Sequence, residues 1–215
     1  MTPTLPEFSA AIAQANLGLD ATQISKAAAF AFILHQENEA QNLTRILGVG
    51  EFIEGHLLDA VELLKQPTLG MDVVDLGSGS GVPGLLAAAI DKTAERNWFL
   101  VEAEVGKAEY LSRSAELLRL PRVEIVHGRA EEVVRGLNPD TITARAVGTV
   151  DKISTWVWNC STWNNLVLFK SRGWTDEWKA AQTTKFGKKL TITHLDDYSN
   201  AERTRYLISL SRNKK

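Results

Sequence analysis

Cysteine is almost missing from this chain: Cys160 stands alone, so no internal disulfide can form, and the usage fits a reducing cytoplasm. No apolar run approaches the ~20 residues that a helical membrane span needs. Met1 to Phe8 hold no basic residue ahead of an apolar run, so no secretory signal is expected. No His/Cys group has the spacing of a zinc site, and no metal is expected. Repeats and low-complexity tracts are also lacking. These absences argue against disulfide-stapled scaffolds, helical membrane spans and solenoids.

What remains is a chain of 215 residues, 44% apolar, with six tryptophans. That length supports one domain with a sizeable core and a small appendage. The net charge of −2 is unevenly spread. Residues 1–65 hold three Lys/Arg against eight Asp/Glu, residues 66–169 ten against thirteen, and residues 170–215 eleven against five. A basic C-terminal quarter on an acidic body could meet a polyanion, or could be an ordinary solvated surface.

The organising stretch is Val73-Val74-Asp75-Leu76-Gly77-Ser78-Gly79-Ser80-Gly81-Val82-Pro83-Gly84. A short apolar run ending in an acid and breaking into alternate glycines predicts a buried strand and a tight turn. Pro83 suits a first helical turn, and Leu85 to Ile90 continue that helix. Backbone N–H groups then converge at the strand's carboxyl end, where open α/β sheets bind ligands. Gly79, Gly81 and Gly84 can be read as a dinucleotide fingerprint. Gly77-x-Gly79-x-Gly81 after Asp75 instead has the order found in S-adenosylmethionine (AdoMet) methyltransferases, where the acid receives the ligand's ammonium directly or through water. A glycine turn with no ligand is the plain alternative.

Two helices, Pro6–Leu17 and Ala21–Asn38, are expected first, the second capped by Asp20 with Gln23 in the capping-box position. A helix over about 51–65 follows, carrying His56-Leu57-Leu58-Asp59. From Met71 the pattern becomes strand–helix alternation, which predicts a parallel sheet. Trp98–Glu102 ends in an acid 18 residues after Gly84, suited to two vicinal ribose hydroxyls or simply a surface glutamate. Further strands are expected at Val123–His127, Thr141–Thr143 and Leu166–Phe169, with Lys170 next. Lys188–Leu195 and Arg205–Leu210 should form a closing pair around a turn at Asp196–Thr204. Trp156, Trp158 and Trp163 are expected to pack the sheet's flank, and His127 to be structural.

If the chain methylates, some acceptors fit poorly. Pyrimidine C5 needs a cysteine nucleophile, normally after proline, and Asn159-Cys160-Ser161 lacks that context. Exocyclic amines usually call on an acid/Asn-Pro-Pro-aromatic motif after the fourth strand, where Ala144-Arg145-Ala146 stands. Guanine N7 needs neither, because its lone pair is free and carries no proton.

The ordered set Asn42-Leu43-Thr44, His56–Asp59, the glycine turn ending Pro83-Gly84-Leu85, Leu100–Glu102, His127–Glu132, Thr143–Ala146 and Lys170 resembles the glucose-inhibited division protein B family, the ribosomal small-subunit methyltransferases G, over nearly the whole chain. The resemblance implies a three-layer, Rossmann-like class I AdoMet-dependent methyltransferase fold. Its seven-stranded sheet would be mostly parallel with an antiparallel last strand, in a domain at 67–215 behind an N-terminal helical appendage at 1–66. It implies a monomeric, cytoplasmic bacterial enzyme, partnered by 16S rRNA or the small ribosomal subunit, that makes N7-methylguanosine near the decoding centre. AdoMet would meet Asp75, Gly77, Gly79, Gly81, Val82, Glu102, Ala130, Glu131 and Arg145. Arg145, Lys170 and Arg129 would be catalytic, and Lys107, Arg129, Lys170 and Arg205 would meet RNA. Two departures stand out: Gly106 precedes Lys107 where the family often has a second basic residue, and Lys170-Ser171-Arg172-Gly173 carries an apparent two-residue insertion. A methyltransferase for a small molecule would instead scatter the basic residues and close a pocket over the glycine turn. An RNA-binding module without enzymatic activity would not bind AdoMet.

Overall fold

Two capping boxes start the chain. In the computed structural model, which describes residues 3–199 and 204–213, Thr4 and Glu7 close the N-terminus of α1 (Leu5–Gln14). Asp20 and Gln23 do the same for α2 (Ala21–Gln41), as expected from their spacing. Asn42, at φ 51°, ends α2 in the left-handed region that asparagine tolerates. The next helix runs through α3 (Val49–Phe52) and α4 (Leu58–Leu64), joined by a widened π turn at Ile53–Leu57.

Strand and helix then alternate: β1 (Asp72–Leu76), α5 (Gly84–Ile90), β2 (Asn97–Glu102), α6 (Val105–Leu117), β3 (Val123–His127), α7 (Ala130–Leu137), β4 (Thr141–Arg145), α8 (Val150–Val157), β5 (Asn165–Lys170), α9 (Trp174–Ala181), β6 (Leu190–Ser199) and β7 (Thr204–Arg212). The seven-stranded sheet has the order β3-β2-β1-β4-β5-β7-β6. All strands from β1 to β5 pair in parallel, and β7 runs antiparallel between β5 and β6. The sheet is the one the resemblance implies. Strand order reverses between β1 and β4, and open α/β sheets bind ligands at such a switch point.

Helices cover both faces, so successive β1 residues enter different cores. Val73 packs with Phe8, Phe30, Phe52, Leu85 and Tyr110. Val74 packs with Ile142, Val150, Ile153, Trp163 and Leu166. The first core contains α1, α2 and the π turn together with α5 and α6, so the helices before residue 67 share one packed layer with the domain after it. Trp163 is buried, and Trp156 and Trp158 pack on the second core, flanking the sheet as expected.

The expected turn at Asp196–Thr204 is a correction. β6 continues through Ser199, paired to β7 up to Ser199 opposite Thr204, and residues 200–203 lie outside the described residues. Asp196-Asp197-Tyr198-Ser199 has turn composition, but Asp196 accepts from Gln66 (2.7 Å) and Tyr198 donates to Asp59 (2.7 Å). Partners on other elements satisfy these polar side chains in an extended strand. Helix α9 has no counterpart in the sequence reading; Gly173, at φ 90°, turns the chain into it.

Gly84 has a packing reason to lack a side chain. A Cβ there would lie 2.5 Å from Asp75 Oδ2 and 2.7 Å from Leu100 Cδ2. Gly84→Ala should therefore destabilise the fold by about 1–3 kcal/mol through overpacking, lowering Tm by roughly 2–12 °C at this size. A variant that melts with the parent would show that β1 and α5 can separate without cost.

Candidate active site

Gly77, Gly79 and Gly81 all have positive φ (68°, 52° and 83°), which explains three glycines in alternation. Gly77 is exposed, and a Cβ there would strike the side chain of Val147, just beyond β4. A Cβ on Gly79 would meet only the Gly77 carbonyl, at 3.7 Å, so that face of the turn is open.

Two acids underlie it. Glu102, at the end of β2, is buried; its Oε2 accepts Gly79 N–H (2.8 Å) and its Oε1 accepts Glu104 N–H (2.9 Å). Each oxygen keeps a second lone pair for a ligand hydroxyl. Asp75 is buried beneath the turn, and its Oδ2 has no hydrogen-bond partner. Burial, with a lesser contribution from Glu102, raises the Asp75 carboxyl to about 7, against the pull of Arg145. An open glycine face, an acid with spare lone pairs and an orphaned buried carboxylate match what AdoMet presents: a close backbone contact, vicinal ribose hydroxyls and an ammonium. Val82 is buried at the turn's end. Ala130 and Glu131 begin α7 beyond β3, and Gly128 N–H bonds the Glu102 carbonyl (2.9 Å), which aligns that loop with the end of β2.

Across the switch point lies a pocket of about 400 Å³, lined by Asp59, Arg145, Phe169, Lys170, Arg172, Trp174, Glu177, Tyr198 and Arg205 among others. Its centre is Asp59, whose side chain is only 3% exposed. Oδ2 receives Arg145 Nη1 (2.5 Å), while Oδ1 receives Arg205 Nη1 and the Tyr198 hydroxyl (2.7 Å). The same two Nη1 atoms donate to the Gly55 carbonyl, each at 3.2 Å. Gly55 lies in the π turn, a widening of the helix often found at functional sites. On the other wall, Lys170 Nζ donates to Glu177 (2.6 Å) and to the Gly148 carbonyl (2.9 Å), and Glu177 also accepts Val150 N–H at the start of α8 (2.5 Å).

The structure thus brings Arg145, Lys170 and Arg205 to one pocket. It does not bring the other two expected basic residues there. Arg129, exposed, caps α7 at the end of β3, and β3 lies four positions from β5, about 19 Å at ordinary strand spacing. Lys107, on α6, pairs with Glu104 (2.7 Å). Arg145, expected at AdoMet, places its Nη1 on Asp59 and the Gly55 carbonyl. Asp59, Tyr198 and Glu177 went unassigned in sequence, although Asp59 closes the quoted His56–Asp59 motif; Tyr198 and Glu177 gave no signal.

The two N-terminal motifs also meet. His56 is buried, with Nε2 3.0 Å from the Thr44 hydroxyl and Nδ1 3.0 Å from the Gly55 carbonyl. Thr44 accepts Ile46 N–H (3.0 Å), so its hydroxyl proton is assigned to Nε2 and the ring proton to Nδ1, a neutral imidazole. Burial foremost, then the Arg145 and Arg205 charges, lower His56 from 6.5 to about 3. The folded state binds fewer protons there than the unfolded chain. This contribution to stability is complete above pH 6.5 and is lost as pH falls towards 3. In denaturant unfolding at several pH values, His56→Gln should flatten the fall in stability over that window; an unchanged slope would mean that His56 is protonated in the fold.

Residues 23–205 match the family model described as rRNA small subunit methyltransferase G. Relatives bearing the name ribosomal RNA small subunit methyltransferase G include one from Rhodopirellula baltica, 33% identical over 80% of this chain and 73% of its own length. Another, from Coxiella burnetii, is 36% identical over 64% of this chain and 67% of its own. A third, from Thermobifida fusca, is 35% identical, but the match spans about half of that protein (53%). Among solved structures, the Mycoplasma-type M. capricolum TrmK bound to S-adenosyl-homocysteine superposes with a TM-score of 0.56, at 13% identity over 72% of this chain and 68% of that one. The precorrin-6y C5,15-methyltransferase of Geobacter metallireducens gives 0.52, at 14% identity over 80% and 92%. At such identities these two share the fold alone. With the family model covering most of its length, and with the glycine turn, its two acids and the basic pocket on one end of the sheet, the chain belongs to the rRNA small subunit methyltransferase G family.

Proposed function

We propose that this AdoMet-dependent rRNA methyltransferase modifies N7 of a single guanine in 16S rRNA, near the decoding centre, acting as a monomer in the bacterial cytoplasm. No helix among the described residues is long and apolar enough to cross a membrane, which is consistent with that setting. AdoMet, when bound, supplies an electrophilic methyl group on a sulfonium centre. The chain's residues supply binding and orientation. Glu102 receives the ribose hydroxyls while fixing Gly79, Asp75 receives the ammonium, and Ala130 and Glu131 border the adenine.

The observation that carries the reading is the composition of the adjoining pocket. Arg145 and Arg205 are backed by Asp59, and Lys170 by Glu177, so none of these groups is placed as a free general base. Guanine N7 requires none, and alignment alone can contribute on the order of 7–11 kcal/mol. The paired cations also resolve an electrostatic difficulty. Sulfonium and N7-methylguanine are both positive, and a bare arginine beside them would oppose the transfer. Donors left on Arg145 and Arg205, together with exposed Arg172, suit a nucleotide phosphate at the rim. A small-molecule acceptor is disfavoured by the exposed glycine turn and by the gathering of cations in one pocket. Arg129 and Lys107, away from that wall, remain candidates for flanking RNA only.

Two tests follow. Incubation with labelled AdoMet and unmethylated small subunits should give one labelled N7-methylguanine in 16S rRNA; label on protein, on another base or on no RNA would overturn the acceptor. Calorimetry should show AdoMet affinity rising as pH passes about 7, where Asp75 ionises. Asp75→Asn should weaken binding and abolish that rise. If the variant keeps the parent's pH profile, the ammonium is held elsewhere.

A further inference from the structure

We propose that an RNA track runs from the pocket to Lys185, Lys188 and Lys189 at the opposite end of the sheet, holding rRNA backbone remote from the methylated base; this rests on the rRNA reading above. The segment begins in the pocket wall with Arg172 and Trp174. It descends through α9 to an exposed group of three lysines. Lys170 ends β5 at the pocket, whereas Leu166, near the start of β5, pairs with Leu210, so Arg212 stands at the far end. A six-residue strand separates the two ends by about 20 Å.

Four other surface lysines are paired, whereas exposed Lys152 is not and lies over Trp156 at 5.0 Å. Lys65, Lys92, Lys107 and Lys179 each lie beside a carboxylate, on Glu62, Asp20, Glu104 and Asp176. Among the described residues, Lys185, Lys188, Lys189 and Arg212 have no carboxylate partner, in a chain whose net charge is −2. Aromatic rings hold three of them instead. Trp158 and Phe186 stack at 4.8 Å and 23°, with Lys185 Nζ 5.0 Å from Phe186, and Lys189 Nζ 5.3 Å and Arg212 Cζ 4.9 Å from Trp158. Arg212 Nη2 is engaged by the Val157, Trp158 and Cys160 carbonyls, whereas a lysine over a ring is positioned but not neutralised, so its charge remains available to a phosphate. No fully exposed large apolar side chain lies within residues 172–189. The pocket already receives a polyanion in the proposed reaction; α9 itself carries Asp176 and Glu177, paired with Lys179 and Lys170, so the contact is made at the lysine group beyond it.

The test is the triple variant Lys185→Ala, Lys188→Ala, Lys189→Ala, whose positions are exposed and outside the pocket. Its Tm and AdoMet affinity should equal the parent's. In filter binding of small subunits across a salt series, the log–log slope should fall in magnitude by about 2, from 0.7–0.9 per lost phosphate contact. KM for small subunits should rise while kcat at saturation holds, and a short stem-loop bearing only the target guanine should bind parent and variant equally. Arginine at all three positions should restore the slope. An unchanged slope in a variant that still transfers methyl overturns the track alone, because the slope is read independently of transfer. Loss of binding to phosphatidylserine vesicles with the rRNA slope intact would overturn it in favour of a lipid surface.

Discussion

One buried carboxylate holds the site together. Asp59 joins α4 to β4 through Arg145, to β7 through Arg205, and to β6 through Tyr198. Taking an acid out of water costs several kcal/mol, and only close, hydrogen-bonded cations offset that cost. Removing Asp59 would leave two guanidinium groups side by side against the Gly55 carbonyl. The pocket's geometry therefore depends on a residue that the N-terminal helices supply, although every strand comes from later in the chain.

That dependence gives the N-terminal segment a role beyond cover. Its helices share a core with α5 and α6, and the π turn aims a carbonyl and an acid at the sheet's carboxyl end. The glycine turn contributes the other half of the site: its acids, Glu102 and Asp75, come from the sheet itself, while Gly81 packs against Phe30 of α2. The two halves meet where Gly77 touches Val147, two residues beyond Arg145. Cofactor and acceptor regions are thus adjacent along one edge, each held by its own buried acid.

Much of this was legible in sequence, and the exceptions have physical causes. Alternate glycines after an acid can hardly serve anything but a tight turn, so β1, its turn and α5 were readable from local pattern alone. Period and spacing were enough for β2 to β5 as well. The strand through Asp196–Ser199 was not, because polar side chains in turn-like order reveal their partners only in three dimensions. The same limit applied to Arg145. Its sequence neighbourhood marked it as functional, but its pairing with Asp59 joins residues 86 apart in the chain. The motif ending in Asp59 was visible without its purpose, which is to bind cations contributed by β4 and β7.

The central claim is that Asp59 and the two arginines act as one unit that shapes the acceptor pocket. A double-mutant cycle with Asp59→Asn and Arg205→Ala, read both in unfolding free energy and in small-subunit affinity, measures this most directly. Contacting members of one network couple by about 0.5–3 kcal/mol, and the account predicts a coupling in that range by both readouts with AdoMet affinity largely preserved. Additive effects in both, within about 0.3–0.5 kcal/mol, would contradict it.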